Sequence, residues 1–354
     1  MIDGFLFKKG LQLEQLTKTK ELKAVIRHGV PLDYRAKIWW QVSGAATLFK
    51  EGYYENLLKE FEDKKSSATQ QIELVRPCIL FTSSFVEKSR TFSFLLLSLP
   101  QDVLRTLPNN IHFCSQDAPG IAKLRRILVA YSWRNAEVGY CQGMNLLAST
   151  LILVFEEDEE RAFWVYAALV ELIMPEDYFT SNLLLSQADQ RVLREIVNEK
   201  FPRLLRHLDA NGVELGLITF NWFLTAYVDC LPPETLMRIW DCFLFEGAKT
   251  LFRFALGIIK MNEGNICKLG GSTAIFNYMK NMTQRLHDVE ELMKVSFIAL
   301  SPFPSKAIQA SREKHAAMLQ DELKELESQR AENEAILLRV RAATAKKMES
   351  SSSS

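Results

Sequence analysis

The chain lacks a charge excess of either sign: 43 lysines and arginines are balanced by 43 aspartates and glutamates. No global field therefore draws it to nucleic acid or to a membrane surface, and a charged partner must be met by a local patch. It also lacks cysteine patterning. The six cysteines, at 78, 114, 141, 230, 242 and 267, form no C-x-x-C pair and have no histidines at zinc-finger spacing. The reading is buried thiols in a reducing compartment, with no metal site. Long apolar runs are missing too. The stretches around Phe92–Leu99 and Leu146–Phe155 fall well short of the ~20 residues that span a bilayer. The opening Met1-Ile2-Asp3-Gly4-Phe5-Leu6 lacks a signal peptide's basic start and apolar core. A soluble, cytoplasmic protein is expected. No G-x-x-x-x-G-K-[ST] appears, so the chain is not itself a nucleotide hydrolase. The five histidines are isolated and receive no role.

What is present is core-forming material: 48% hydrophobic and 10% aromatic residues over 354 positions, enough for one large domain or two small ones. Leu22 to His28 reads as a short helix stopped by Gly29-Val30-Pro31. Another begins around Arg35-Ala36-Lys37-Ile38-Trp39-Trp40, and Tyr54 to Lys64 forms a charged helix. From Gly120 to Glu290 apolar residues recur at three and four, and strand-type alternation is scarce. The predicted fold is all-α. It comprises an N-terminal extension (1–21), a multi-helix body (22–300), a charged helical tail (301–349) and a disordered serine end (350–354). Trp39, Trp133, Trp164, Trp222 and Trp240 are assigned to the core, because tryptophan buries a large area. Asp241 is expected to be a buried salt-bridge acceptor for Arg238 or for another helix. In the tail, Leu319, Leu323, Leu326, Arg330, Asn333, Leu337 and Val340 follow 4-3 spacing. Arg330 and Asn333 interrupt that stripe, so coiled-coil self-association is expected to be weak. A solvated helix, or one folded back on the body, is favoured.

Residues 75–101 break the texture. VRPCILFTSSFVEKSRTFSFLLLSLPQ is apolar and β-prone and matches no amphipathic helix period. Without it, Gln70-Gln71-Ile72-Glu73-Leu74 joins Asp102-Val103-Leu104-Arg105 in one amphipathic segment. It begins with valine (GT-initial codons), ends with glutamine (compatible with CAG), and its last third fits pyrimidine-rich codons, as an intron read through in frame would. A genuine family-specific loop is the alternative.

Gln142 is the most informative position. In Gly139-Tyr140-Cys141-Gln142-Gly143-Met144-Asn145 a glycine-flanked turn opens an apolar helix and fixes a polar amide at its mouth. Such an amide orients a water or holds a phosphate without ionising. Its expected companion is Arg105, whose permanent charge and planar fork of donors suit phosphate oxygens. An Arg and a Gln with no nucleotide motif of their own suggest catalytic groups lent to another protein's phosphate.

These residues carry a resemblance. Arg27-His28-Gly29-Val30-Pro31 with Arg35 and Trp39 is similar to the G-[IV]-P…R…W opening of the TBC domain, the catalytic domain of Rab GTPase-activating proteins. The I-x-x-D-x-x-R motif follows, split here as Ile72 and then Asp102 and Arg105. After it come Y-x-Q-G at Tyr140–Gly143, Phe220-Asn221-Trp222-Phe223, Arg238-Ile239-Trp240-Asp241 and Glu246-Gly247. Coverage is about residues 22 to 300. The runs TLPNN, SWRN, GYCQGMN, LLLSQADQRV and LITFNWF look closest to the Armus-type subfamily. Its members are larger, with a PH domain and coiled coils ahead of the TBC domain, so this chain resembles a C-terminal region or short isoform.

The resemblance implies an all-helical TBC fold, with a Rab-family GTPase in its GTP state as partner. The Rab supplies GTP and magnesium, so the chain needs no cofactor. Arg105 would be an arginine finger and Gln142 a glutamine finger. Asp102 would steer Arg105, and Tyr140 and Gly143 would shape the turn that presents Gln142. Vesicle traffic regulated through a late-endosomal or lysosomal Rab is expected, with membrane contact indirect, through the lipidated Rab. Because the 75–101 insert splits the arginine motif, a noncatalytic Rab-binding or scaffolding module is the competing expectation.

Overall fold

A computed structural model of the chain describes residues 4–5, 16–61, 106–115, 117–180, 182–301, 303 and 305–352. The 75–101 segment, Asp102 and Arg105 lie outside the described residues. Among those described, every regular element is a helix. In chain order the α-helices are α1 (Lys20–Arg27), α2 (Leu32–Ser43), α3 (Ala45–Leu48), α4 (Tyr53–Phe61), α5 (Pro119–Arg134), α6 (Met144–Phe155) and α7 (Glu159–Ala168). There follow α8 (Leu184–Lys200), α9 (Pro202–Ala210), α10 (Gly216–Leu224), α11 (Pro233–Glu246), α12 (Lys249–Ile266), α13 (Ser272–Met282), α14 (Val289–Lys294) and α15 (Ser305–Ser352). The all-α expectation holds.

Local chemistry sets many of the boundaries. Thr19 caps α1, its hydroxyl accepting from the Leu22 N–H at 3.1 Å. Gly29 then turns the chain at φ 105°, with the Arg238 side chain 2.7 Å from where a Cβ would stand. Only glycine fits that turn without displacing the arginine. Pro31 opens α2, and prolines occupy the first turns of α5, α9 and α11, where a missing N–H is not needed.

The core is aromatic. Trp39, Trp164 and Trp240 are fully buried, Trp222 nearly so, and Trp39 stacks on Trp240 at 5.6 Å. Trp133 is only half-buried, with its ring stacked on Phe61 at 4.2 Å. Asp241 of α11 is the expected buried acceptor, and of the two expected sources, Arg238 or another helix, its cation comes from the second, as Arg35 of α2. Arg35 Nε donates to it at 3.1 Å, Trp39 Nε1 at 2.8 Å and the Val30 N–H at 3.0 Å. Arg238 instead pairs with Glu290 at 2.8 Å.

The tail folds back. Ile308, Arg312, His315 and Leu319 are buried on one stripe of α15, which packs along α8. Arg312 forks onto the buried Asp189 at 2.6 and 3.2 Å, and Arg191 onto Glu322 at 2.8 and 2.6 Å. Leu323 and Leu326, half-buried, continue the same stripe. The spacing that reads as a heptad seam is spent, in this stretch, on the protein's own surface.

Removing one partner of a buried ion pair leaves the other charge without compensation. Arg312→Ala should therefore destabilise by about 3–5 kcal/mol in a urea melt. The double substitution Arg312→Met with Asp189→Leu should recover most of that loss. An Arg312→Ala protein with an unchanged midpoint would show that α15 does not hold to α8.

Candidate functional site

The site is built on the turn that enters α6. The turn starts at the end of α5, where the Asn135 carbonyl accepts from the Gly139 N–H at 2.8 Å and its side chain from the Val138 N–H at 3.1 Å. Tyr140 and Cys141 then point inward, at 9% and 3% exposure, while Gln142 between them and the helix is exposed. The inward residues anchor the loop. Cys141 N–H meets the Met144 sulfur at 3.1 Å, and the Met144 N–H returns to the Cys141 carbonyl at 3.1 Å. Gly143 is the helix N-cap at φ 96°, and a Cβ there would stand 3.3 Å from Thr225 Cγ2. The tight turn holds Gln142 outward, and its side chain makes no hydrogen bond to a described residue.

Beneath the turn, burial pushes the phenol of Tyr131 up, with the Glu171 charge adding to it, and pushes that of Tyr166 up as well. Both stay neutral.

Two further pieces of chain close on this turn. Asn145, in the first turn of α6, donates through its amide to the hydroxyl of Thr106 at 2.9 Å, and Thr106 is fully buried. Thr106 is the residue that follows Arg105 in the sequence. From Thr106 the chain passes through left-handed Leu107, φ 46°, into a turn closed by the Asn110 N–H on the Leu107 carbonyl. The loop is tied down again where Gly120 N–H donates to the His112 carbonyl at 3.1 Å. The second piece is the end of α10. Leu224 and Thr225 press on Gly143, and the next two residues, Ala226 and Tyr227, both take left-handed φ values of 45° and 69°. Such a pair in non-glycine residues is strained by about 1–3 kcal/mol each. It persists because Trp240 Nε1 donates to the Ala226 carbonyl at 3.0 Å and Tyr227 Oη donates to the Leu251 carbonyl at 2.7 Å. Exposed Asn221 lies one turn before Thr225, on the helical side that approaches Gly143.

The structure thus gathers Tyr140, Gln142 and Gly143 on one turn and sets Thr106 beside it. Arg105 and Asp102 lie outside the described residues. Sequence reasoning left Thr106, Asn145 and Asn221 without a role. Asn221 carries a readable signal, a polar residue exposed within the otherwise apolar Phe220-Asn221-Trp222-Phe223. Thr106 and Asn145 carry none, since their pairing spans distant segments. No group of acids, histidines and cysteines suited to a metal ion occurs among the described residues.

Residues 32–267 match the Rab-GTPase-TBC domain model, which spans α2 to α12. The chain belongs to the Rab-GTPase-TBC domain family. It is 40% identical over 323 residues to TBC1 domain family member 2B of Xenopus tropicalis, covering 90% of this chain and 31% of that one. To TBC1 domain family member 2A of Homo sapiens it is 39% identical over 333 residues, covering 94% and 33%. The chain therefore spans about a third of the length of these curated relatives. Among solved structures, a Chlamydomonas flagellar RabGAP TBC domain superposes with a TM-score of 0.63 at 29% identity, over 84% of this chain and 89% of that one. None of the described helices is long and apolar enough to cross a membrane.

Gly143→Ala in this TBC domain combines backbone strain with a tight methyl contact on Thr225. A loss of about 1–2 kcal/mol in chemical unfolding is expected. An unchanged midpoint would mean that the turn is not held rigidly by α10.

Proposed function

We propose that this chain is a GTPase-activating protein for a Rab-family small GTPase and that Gln142 is lent to the Rab's nucleotide site. GTP hydrolysis asks the protein chiefly to position a water and to neutralise charge on the transferring phosphoryl group. Gln142 does the first as a glutamine finger, orienting the attacking water through its amide. Arg105 does the second as an arginine finger. Asp102, three residues earlier, sets the guanidinium's approach, and Tyr140 and Gly143 hold the turn that presents Gln142. The Rab brings GTP and magnesium, so the chain contributes side chains and no cofactor.

The observation that carries this reading is the Asn145–Thr106 hydrogen bond of 2.9 Å. It ties Thr106, which follows Arg105 in the sequence, to the first turn of the helix that Gln142 precedes. Membership of the Rab-GTPase-TBC family supports the choice of partner. The chain acts from the cytoplasm, recruited to endosomal membranes through the lipidated Rab, with a late-endosomal Rab as the first candidate. A second reading, Rab binding without catalysis, is favoured by one feature: residues 75–101 separate Ile72 from Asp102 within the arginine motif.

Single-turnover GTP hydrolysis by a late-endosomal Rab, followed by a wider Rab panel, separates the two. Arg105→Ala should lose most of the stimulation, on the scale of the 10³ to 10⁵-fold, roughly, that an arginine finger supplies, and Gln142→Ala somewhat less. An Arg105→Ala protein as active as the parent would overturn the assignment. The same assay on a version lacking 75–101 tests the second reading. Stimulation by the shortened version alone would mark this chain as a Rab binder. Equal stimulation by both would show that the insert is tolerated.

A further inference from the structure

α10 ends against the Gln142 turn and brings two polar groups with it. Leu224 and Thr225 stand 3.5 and 3.3 Å from where a Cβ on Gly143 would lie. Asn221 comes three and four residues before them, so it shares their side of the helix. Its neighbours Phe220, Trp222 and Phe223 are buried, whereas Asn221 is exposed and its side-chain amide makes no hydrogen bond to a described residue. Such an amide adds nothing to the core. Thr225 leads to the second group: its hydroxyl lies 2.7 Å from Asp229 Oδ1 and 2.8 Å from the Asn221 carbonyl oxygen. Asp229 stands beyond the left-handed corner at Ala226 and Tyr227, yet its side chain returns to Thr225. One threonine thus turns its methyl to Gly143 and its hydroxyl to Asp229, and Gly143 is bonded to Gln142.

Charge distinguishes Asp229 from the other acids set into this protein. Among the described residues burial raises three carboxyls above their ordinary range: Asp189, Asp229 and Asp241. Arg312 answers the first at 2.6 Å and Arg35 the third at 3.1 Å. No ion pair among the described residues reaches Asp229, and only the Thr225 hydroxyl and its own backbone N–H oppose the burial. Asp189 and Asp241 are sealed at 1% exposure, whereas Asp229 is exposed at the surface. A carboxylate partly desolvated and without a cation is stabilised when one is brought to it. Because the residue opens to solvent, that cation can come from another protein. The ion pair would form where water is partly shut out, and there the attraction exceeds that of a free surface pair.

We propose that Asp229 and Asn221 select the GTPase partner beside Gln142. Asp229 receives a lysine or arginine side chain of that protein, and the Asn221 amide, donor and acceptor at once, hydrogen-bonds to its backbone. This role rests on the GTPase reading of Gln142, and neither residue takes part in the hydrolysis itself. A GTPase with an acidic side chain at the same place is rejected by like-charge repulsion, so one carboxylate both attracts the right partner and excludes wrong ones.

The test is GTP hydrolysis by a panel of Rab GTPases with the whole chain, resolved into kcat and KM. For a Rab that the parent stimulates, Asp229→Lys should raise KM about tenfold or more and leave kcat within about twofold. Asp229→Asn keeps an acceptor for the Thr225 hydroxyl and loses the charge, so it should raise KM less. The parent's advantage over Asp229→Asn should shrink as salt is raised. Asn221→Ala should raise KM about threefold or more at unchanged kcat. Asp321→Asn, exposed on α15, should alter neither constant. Thermal unfolding checks each variant; if Asp229→Lys unfolds, Asp229→Asn and its salt dependence carry the comparison. An unchanged KM in a folded variant overturns the role of that residue. A loss confined to kcat also overturns it, because Asp229 would then act on the Gln142 turn and not on the partner. Failure of the parent on every Rab overturns the GTPase reading and this role with it. Loss of kcat in Gln142→Ala, with parent values in the Asp229 and Asn221 variants, overturns this role alone.

Discussion

The buried carboxylate of Asp241 is the interaction on which the body of the domain depends. Burial alone pushes this carboxyl up towards its neutral form, and Arg35, the Val30 N–H and the Trp39 indole pull it back. Arg35 also donates to the Val30 carbonyl at 2.7 Å, so the guanidinium closes the loop between α1 and α2 while it neutralises α11. The donors come from residues 30–39 and the acceptor from residue 241, which locks the first helices against the second half of the chain. Stacking of Trp39 on Trp240 excludes water from the network. Dry surroundings strengthen each hydrogen bond and raise the cost of losing any one of them.

That lock has consequences at a distance. Trp240, the neighbour of Asp241, donates to the carbonyl of strained Ala226, and the strain at Ala226 and Tyr227 sets the corner where α10 ends against Gly143. A rigid core therefore underlies a rigid turn. Rigidity suits the role proposed for Gln142, because ordering a side chain on arrival at a partner would cost side-chain entropy. Neither the amide of Gln142 nor an arginine guanidinium relies on a change of protonation.

The ends of the domain show how charge is used when no global field exists. At α8 and α15 opposite charges meet across the two helices, and Arg312 on Asp189 is buried outright. At α1 two cations, Lys23 and Arg27, share the single buried carboxylate of Glu246, and Arg27 also lies over the ring of Phe297.

The helices and their class were legible in the sequence, since apolar recurrence at three and four, Pro31 before α2 and Gly29 after α1 act over a few residues. The Gln142 turn was legible for the same reason, because glycines at 139 and 143 bracket a polar residue at the mouth of an apolar run. The partner of Asp241 was not. Arg238 lies three residues away and reads as the natural cation, yet the backbone points it to Glu290 and leaves Asp241 to Arg35. The 4-3 leucine stripe of the tail was visible too, but a stripe states only that a face will be covered, and here α8 covers its first part. The pairing of Thr106 with Asn145 left no trace in the sequence. Periodicity and turn chemistry are local and were determined by the chain itself. Which distant side chains share a carboxylate, a ring or a hydrogen bond was decided by packing, because burial selects contacts by shape and distance rather than by order along the chain.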